Sequence, residues 1–231
     1  TFDNYTAYRA YNVSIEMQFT NNIDSWIGIE DAIATLTFRT IDYTGIYLGS
    51  GIFLWNLTSG LFDLGTFDVN ITLNRTGFIN QTYSFQLSLY DLPTDLPNLL
   101  IWQPDHNQTT SQIAPFITYK PFGVEINITY WDTNNSAFIE GATTATLSYG
   151  SLSNVAPDHT TFGNYSWFIA IEDLVVGTNQ VSLNFDKLYY LSASTNFDLE
   201  VRYLPTDLSL TYIRQPDHTN YGTDQLIYID D

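Results

Sequence analysis

All three histidines of the chain sit in one tripeptide, Pro-Asp-His, at 104–106, 157–159 and 216–218. Asp and neutral His both ligate divalent cations, so each copy is a two-ligand fragment of a metal site. The same tripeptide also reads as a turn, because Pro fixes φ and Asp bonds its own backbone. Oxygen-rich turns occur at Asn21-Asn22-Ile23-Asp24 and at Asp132-Thr133-Asn134-Asn135. Calcium takes roughly six to eight oxygen ligands from loops of this kind. Calcium is therefore a candidate ion, with Asp105, Asp132 and Asp217 as candidate ligands. Neither turn matches the helix-flanked calcium loop.

Asn-x-Ser/Thr is the most frequent chemical signal. It occurs at Asn4, Asn12, Asn56, Asn70, Asn74, Asn80, Asn107, Asn127, Asn134 and Asn164. Each is a candidate acceptor for an N-linked glycan, which requires an outward-facing position on an exported protein. On an alternating strand, Asn70 with Thr72 and Asn127 with Thr129 are expected to face solvent.

Five tryptophans could stack on a sugar ring: Trp26, Trp55, Trp102, Trp131 and Trp167. Trp55 and Trp167 recur at matching positions of an internal repeat and are expected in a core. Trp102 and Trp131 are the candidates for contact with surface glycans or with a module interface. No Gly-x-Ser-x-Gly elbow, His-Glu-x-x-His or phosphate loop is present, and no enzymatic activity is expected.

Charge narrows the partners. Twenty-five Asp and Glu oppose seven Lys and Arg, for a formal net charge of −18. Nucleic acid and anionic lipid both need a basic surface, so neither is an expected partner. No apolar run is long enough to span a bilayer as a helix. There is no cysteine, so nothing staples the fold covalently. The chain opens with Thr1 and shows no signal peptide, as expected of a processed chain or a slice of a longer one.

The elements that hold these residues follow from a repeat. Residues 92–106, LPTDLPNLLIWQPDH, return at 204–218 as LPTDLSLTYIRQPDH, with ten of fifteen positions identical. The offset of 112 also relates Trp55 to Trp167 and Val69 to Val181, while NVSIEMQF from Asn12 aligns with GVEINITY from Gly123. Within each copy the hydrophobic period is two, as in Val13, Ile15, Met17 and Phe19 or in Phe197, Leu199, Val201 and Tyr203. That alternation predicts antiparallel strands with one buried and one wet face. Turn residues recur between the runs, so the fold class is all-β with a two-sheet sandwich in each module. The period divides the chain into module 1 (1–104), module 2 (105–218) and a tail (219–231).

The stretch Glu172–Val201 resembles the later strands of immunoglobulin-like repeats in large prokaryotic surface proteins, most like those of archaea. Leu61–Leu89 shows the same pattern, and Tyr130–Tyr149 resembles the front of such repeats. The resemblance implies two tandem immunoglobulin-like antiparallel β-sandwich modules and an extracellular or cell-surface location. Module 1 departs from it where Glu30-Asp31-Ala32 replaces Glu140-Gly141-Ala142, which predicts a different turn there.

The tail follows the second Pro-Asp-His of the repeat, as the segment around Ile113–Lys120 follows the first. Gln225, Leu226, Ile227, Tyr228 and Ile229 therefore read as an assembly strand belonging to a following module or a neighbouring subunit. The expected function is a glycosylated, non-catalytic structural repeat of a cell envelope layer, stalk or extracellular filament. Its partners would be copies of itself or adjacent modules of a longer chain. The competing reading is an adhesin or carbohydrate-binding ectodomain.

Overall fold

The computed structural model describes residues 3–21, 23, 27–106, 108–109 and 116–207. The first half carries β1 (Asp3–Tyr8), β2 (Val13–Gln18), β3 (Thr20–Asn21), β4 (Ile27–Gly28), β5 (Ile33–Phe38), β6 (Ile41–Thr44), β7 (Ile46–Gly49), β8 (Ile52–Leu57), β9 (Gly65–Asn74) and β10 (Gln81–Tyr90). One sheet runs in the order β1-β10-β9-β5-β6 and the other in the order β2-β8-β7. All ladders are antiparallel except β1 with β10, where Asp3–Tyr8 runs parallel to Phe85–Tyr90. The short hairpin β3–β4 caps one end.

The second half repeats this plan with an added front. It carries β11 (Thr94–Asp95), β12 (Leu100–Gln103), β13 (Gln108–Thr109), β14 (Phe116–Tyr119), β15 (Val124–Thr129), β16 (Trp131–Asp132), β17 (Ala137–Phe138), β18 (Thr144–Tyr149), β19 (Leu152–Val155), β20 (His159–Thr161), β21 (Asn164–Ile169), β22 (Gly177–Asp186) and β23 (Ala193–Arg202). Its sheets run β14-β23-β22-β18-β19 and β13-β12-β15-β21-β20, with β11-β16-β17 at one end. Again the first strand of one sheet, β14, lies parallel to the last strand, β23. A parallel contact between first and last strands in an otherwise antiparallel two-sheet sandwich is the immunoglobulin-like arrangement.

Each sandwich has its own core. In the first, Leu36, Phe38, Trp55, Leu57, Val69 and Ile71 are buried; in the second, Ile126, Tyr149, Trp167, Val181, Leu183 and Leu199. These are the inward members of the alternating runs, whose outward members meet water. The two central tryptophans are buried as the repeat implies. The Trp55 indole donates to the carbonyl of Tyr43 at 3.0 Å, and Trp167 donates to that of Val155 at the same distance.

Residues 94–103, assigned by the period to the end of module 1, pair with strands of the second half. β11 pairs with β16 and β12 pairs with β15. The opening strand of the second sandwich is thus Leu100–Gln103, ahead of the Ile113–Lys120 segment. The turn expected to differ at Glu30-Asp31-Ala32 does not: Asp31 (φ 53°) and Gly141 (φ 60°) both take the left-handed conformation. Asp enters that region more readily than most residues because its short side chain bonds locally.

Candidate assembly site

The first Pro-Asp-His is a single 3-10 turn at Pro104–His106. It ends β12, in one sheet, before the chain continues to β14 in the other. His106 stacks on Phe122, with ring centroids 4.4 Å apart, and meets the edge of Tyr119. Just ahead of the turn, Gln103 is 1% exposed. Its amide nitrogen donates to the carbonyls of Tyr119 (2.8 Å) and Phe122 (3.0 Å), and its oxygen accepts from the Tyr119 N–H (2.9 Å). Gln103 ties the two sheets' first strands together. The second Pro-Asp-His is not a closed turn but leads into β20, which His159 opens: Asp158 accepts from the Phe168 N–H at 2.7 Å and donates its own N–H to the carbonyl of Ser166, both on β21. The third lies outside the described residues.

Of the candidate metal ligands, Asp105 is exposed in its turn, and Asp217 lies outside the described residues. Asp132 is 2% exposed and caps its own turn. Its carboxylate accepts from the N–H groups of Asn134 and Asn135, both at 2.9 Å, and from the Asn135 side chain at 2.7 Å. Among the described residues no three His, Asp or Glu side chains converge as a metal cluster.

Eight sequon asparagines are exposed: Asn4, Asn12, Asn56, Asn70, Asn74, Asn80, Asn134 and Asn164. Asn127 is half-buried and Thr129 is buried, contrary to the solvent-facing expectation. β12 lies over this part of β15, with Leu100 opposite Asn127, and Thr129 bonds to Asn164. Asn107 lies outside the described residues. Trp26 does too, as do Gln225, Leu226, Ile227, Tyr228 and Ile229. Trp102 and Trp131 are half-buried, and Trp131 meets the edge of Phe138 at 5.0 Å.

The contact between the two sandwiches was not anticipated from the sequence. Leu92, fully buried, donates its N–H to the carbonyl of Tyr189 and accepts from the N–H of Leu191, both at 2.9 Å. Thr94 donates its hydroxyl to the same Leu191 at 2.8 Å, and Pro93 accepts from the N–H of Thr133. Tyr189 holds a left-handed φ of 69°. Its hydroxyl bonds to the carbonyl of Gly60, where an added Cβ would come within 2.8 Å of the tyrosine oxygen. Beside it Arg9 grips Asp91 with two nitrogens at 2.9 Å each, and its guanidinium lies 5.7 Å over the Tyr189 ring. The recurring Leu-Pro-Thr-Asp was the signal available in the sequence.

The first sandwich has two cavities near β2. One of about 760 Å³ opens at the β3–β4 end and is lined by Phe19, Ile29, Phe78 and Tyr83 among others. Among the described residues no His, Asp, Glu, Lys or Arg lines it. Tyr83 stays protonated well above the usual range, because its hydroxyl donates to Asp3. The second, about 470 Å³, is a groove between β1 and β2.

No family model matches the chain, and no curated protein matches it. Several solved structures do. One is of immunoglobulin domains 1–5 of Sidekick-1, at 10% identity and TM-score 0.39, covering 87% of this chain and 37% of that one. Another is an endo-fucoidan hydrolase of glycoside hydrolase family 107, at 13% identity and TM-score 0.28, covering 88% and 28%. A third is the Yersinia pseudotuberculosis adhesin InvE, at 12% identity and TM-score 0.31, covering 85% and 56%. The chain spans less than two thirds of each of these structures.

Proposed function

We propose that this chain is a non-catalytic building block of an extracellular assembly, a glycosylated repeat of an envelope layer, stalk or filament. Its partners in this reading are copies of itself or adjacent modules of a longer chain. The observation that carries it is the stitched contact between the sandwiches. A chain passing between independent domains usually does so through an exposed linker. Here the connecting Leu92 is buried and bonded on both sides to the neighbouring module, and a two-nitrogen Arg9–Asp91 pair braces it. Such a joint sets spacing and direction, which is what a structural repeat supplies.

Surface chemistry supports the reading. Eight exposed sequons and a net charge of −18 give a hydrated coat that resists self-adhesion outside specific contacts.

Imaging of native material tests the proposal directly. Regular filaments or lattices with a repeat matching two sandwiches are the expected result. Dispersed monomers in native material would overturn it. Intact-mass measurement of the same material is expected to show heterogeneous carbohydrate on several sequons.

A further inference from the structure

One position in the repeat is filled in the second sandwich and open in the first. In the second, β12 closes the outer edge of β15, with Leu100 opposite Asn127, Ile101 opposite Ile126 and Trp102 opposite Glu125. Beneath that edge Val124, Ile126 and Ile128 are at most 1% exposed. In the first sandwich Val13, Ile15 and Met17 hold the corresponding places and are only half-buried. Among the described residues no strand pairs with the outer edge of β2. The groove beside it is floored by Ala7, Val13, Ile15, Met17 and Leu87. An open edge over an apolar floor is a template for strand addition.

The chain itself carries a matching strand. The segment LPTDLSLTYIRQPDH at 204–218 copies the sequence of β11 and β12, and residues 208–231 lie beyond the described structure. Tyr212, Ile213, Arg214 and Gln215 stand where Leu100, Ile101, Trp102 and Gln103 stand. We propose that residues 211–215 of a second copy occupy the β2 edge, so that copies join head to tail by repeating the contact that already links the two sandwiches. This rests on the reading of the chain as a building block and names the contact involved.

The register of β12 places Ile213 opposite Ile15, Arg214 opposite Ser14 and Tyr212 opposite Glu16. Three positions change charge relative to the filled site. Arg214 replaces Trp102, Ser14 replaces Glu125 opposite it, and Glu16 replaces Asn127, the diagonal neighbour on the same face. Such diagonal pairs lie within reach of long side chains. Gln215 takes the place of Gln103, whose partners Tyr119 and Phe122 correspond to Tyr8 and Tyr11. The turn has the same form, since the Tyr11 N–H donates to Tyr8 at 3.1 Å just as Phe122 does to Tyr119, and the buried Ser59 hydroxyl already bonds the Tyr8 and Tyr11 carbonyls, so Gln215 would share these acceptors with Ser59. The loop that receives Leu92, Tyr189–Leu191, corresponds to Gly77–Ile79, and there Ile79 is 82% exposed, ready to receive Leu204. The expected assembly strand, Gln225–Ile229, falls instead at the place of β14, which β1 holds in the first sandwich. Donor and acceptor are different surfaces, so the contact is heterologous and builds an open chain.

The chain has no cysteine, which permits a direct test. Separate Ser14→Cys and Arg214→Cys chains are mixed and mildly oxidised. The expected product is a mixed disulfide dimer. A Gln18→Cys and Arg214→Cys mixture, four residues out of register, should yield about ten-fold less, because disulfides form only between closely apposed Cα atoms. In sedimentation, Glu16→Lys should weaken association and Arg214→Glu should restore it in the double variant. These sites are exposed in the acceptor, so the folded sandwich is preserved. Association of the native chain without register-specific crosslinking would overturn the strand contact and leave the building-block reading standing. A native chain that stays monomeric at every concentration would overturn both.

Discussion

The Leu92 N–H reaches the carbonyl of Tyr189 at 2.9 Å, across the boundary between two sandwiches that the period of the sequence alone would have separated elsewhere. Tyr189 takes a left-handed φ there, and the hydroxyl end of its side chain rests against Gly60. Gly60→Val places branched carbons against the Tyr189 hydroxyl. It is expected to widen the angular distribution between the halves, seen as a larger radius in small-angle scattering, while leaving both cores folded by near-ultraviolet dichroism.

The Arg9–Asp91 pair should behave as a partly buried ion pair. Arg9→Ala leaves Asp91, 12% exposed, without its partner. A loss of about 2 kcal/mol in denaturant unfolding is expected, below the full range for buried pairs because water reaches both groups. Replacing both together, Arg9→Met with Asp91→Leu, should cost less than the single change. A double variant as unstable as Arg9→Ala would show that packing around Arg9, rather than the ion pair, holds the joint.

Amide exchange should separate the two sandwiches. In dilute solution, β2 has an edge with no partner strand among the described residues, while β15 is paired with β12. Exchange in Val13–Gln18 is expected to be at least ten-fold faster than in Val124–Thr129, reflecting lower local opening energy. Equal protection would mean that β2 is already covered.

Alkaline pH should unfold the second sandwich through its tyrosines. Burial pushes Tyr130 up to about 12, with Asp186 adding to the effect, and burial also raises Tyr149 and Tyr165. A raised folded-state value means the unfolded chain ionises first, at about 10. Stability is therefore complete below pH 10 and falls as pH rises toward 12. Tyrosinate absorbance and unfolding should advance together in that window, and Tyr130→Phe should move the onset upward.

Glycan occupancy should follow exposure. Asn127, half-buried beside Leu100, is expected to stay unmodified, whereas Asn70, on the outer face of β9, and Asn80, in the loop after it, are exposed. Peptide mapping of native material checks this. A glycan on Asn127 would require β12 to detach before folding is complete.

Much of this fold was legible in the chain. Alternation at Phe67–Leu73 and Phe197–Val201 defined strand faces, although Tyr203, expected on the same face, lies beyond β23 and is exposed, and the offset of Trp55 from Trp167 defined equivalent cores, because both are local or periodic signals. The phase of the repeat was not legible. A tandem period of 112 says how long a unit is, not where it starts, so LPTDL…QPDH read equally well as an end or a beginning. The ladders of Thr94–Asp95 with Trp131–Asp132 and of Leu100–Trp102 with Glu125–Asn127 decide it, and those pairings have no local signature. The junction was missed for the same reason: Arg9 and Asp91 are 82 residues apart, and although Lys120 stands at the repeat position of Arg9, Tyr203 stands at that of Asp91.

The parallel pairing of β1 with β10 also fixes how the first sandwich answers a pull. Tension applied at the chain's entry and exit draws these two strands along each other's length. The six matched positions of β1 and β10 then bear the load together and cannot peel apart one at a time. An array of such units would stretch little until a whole ladder let go.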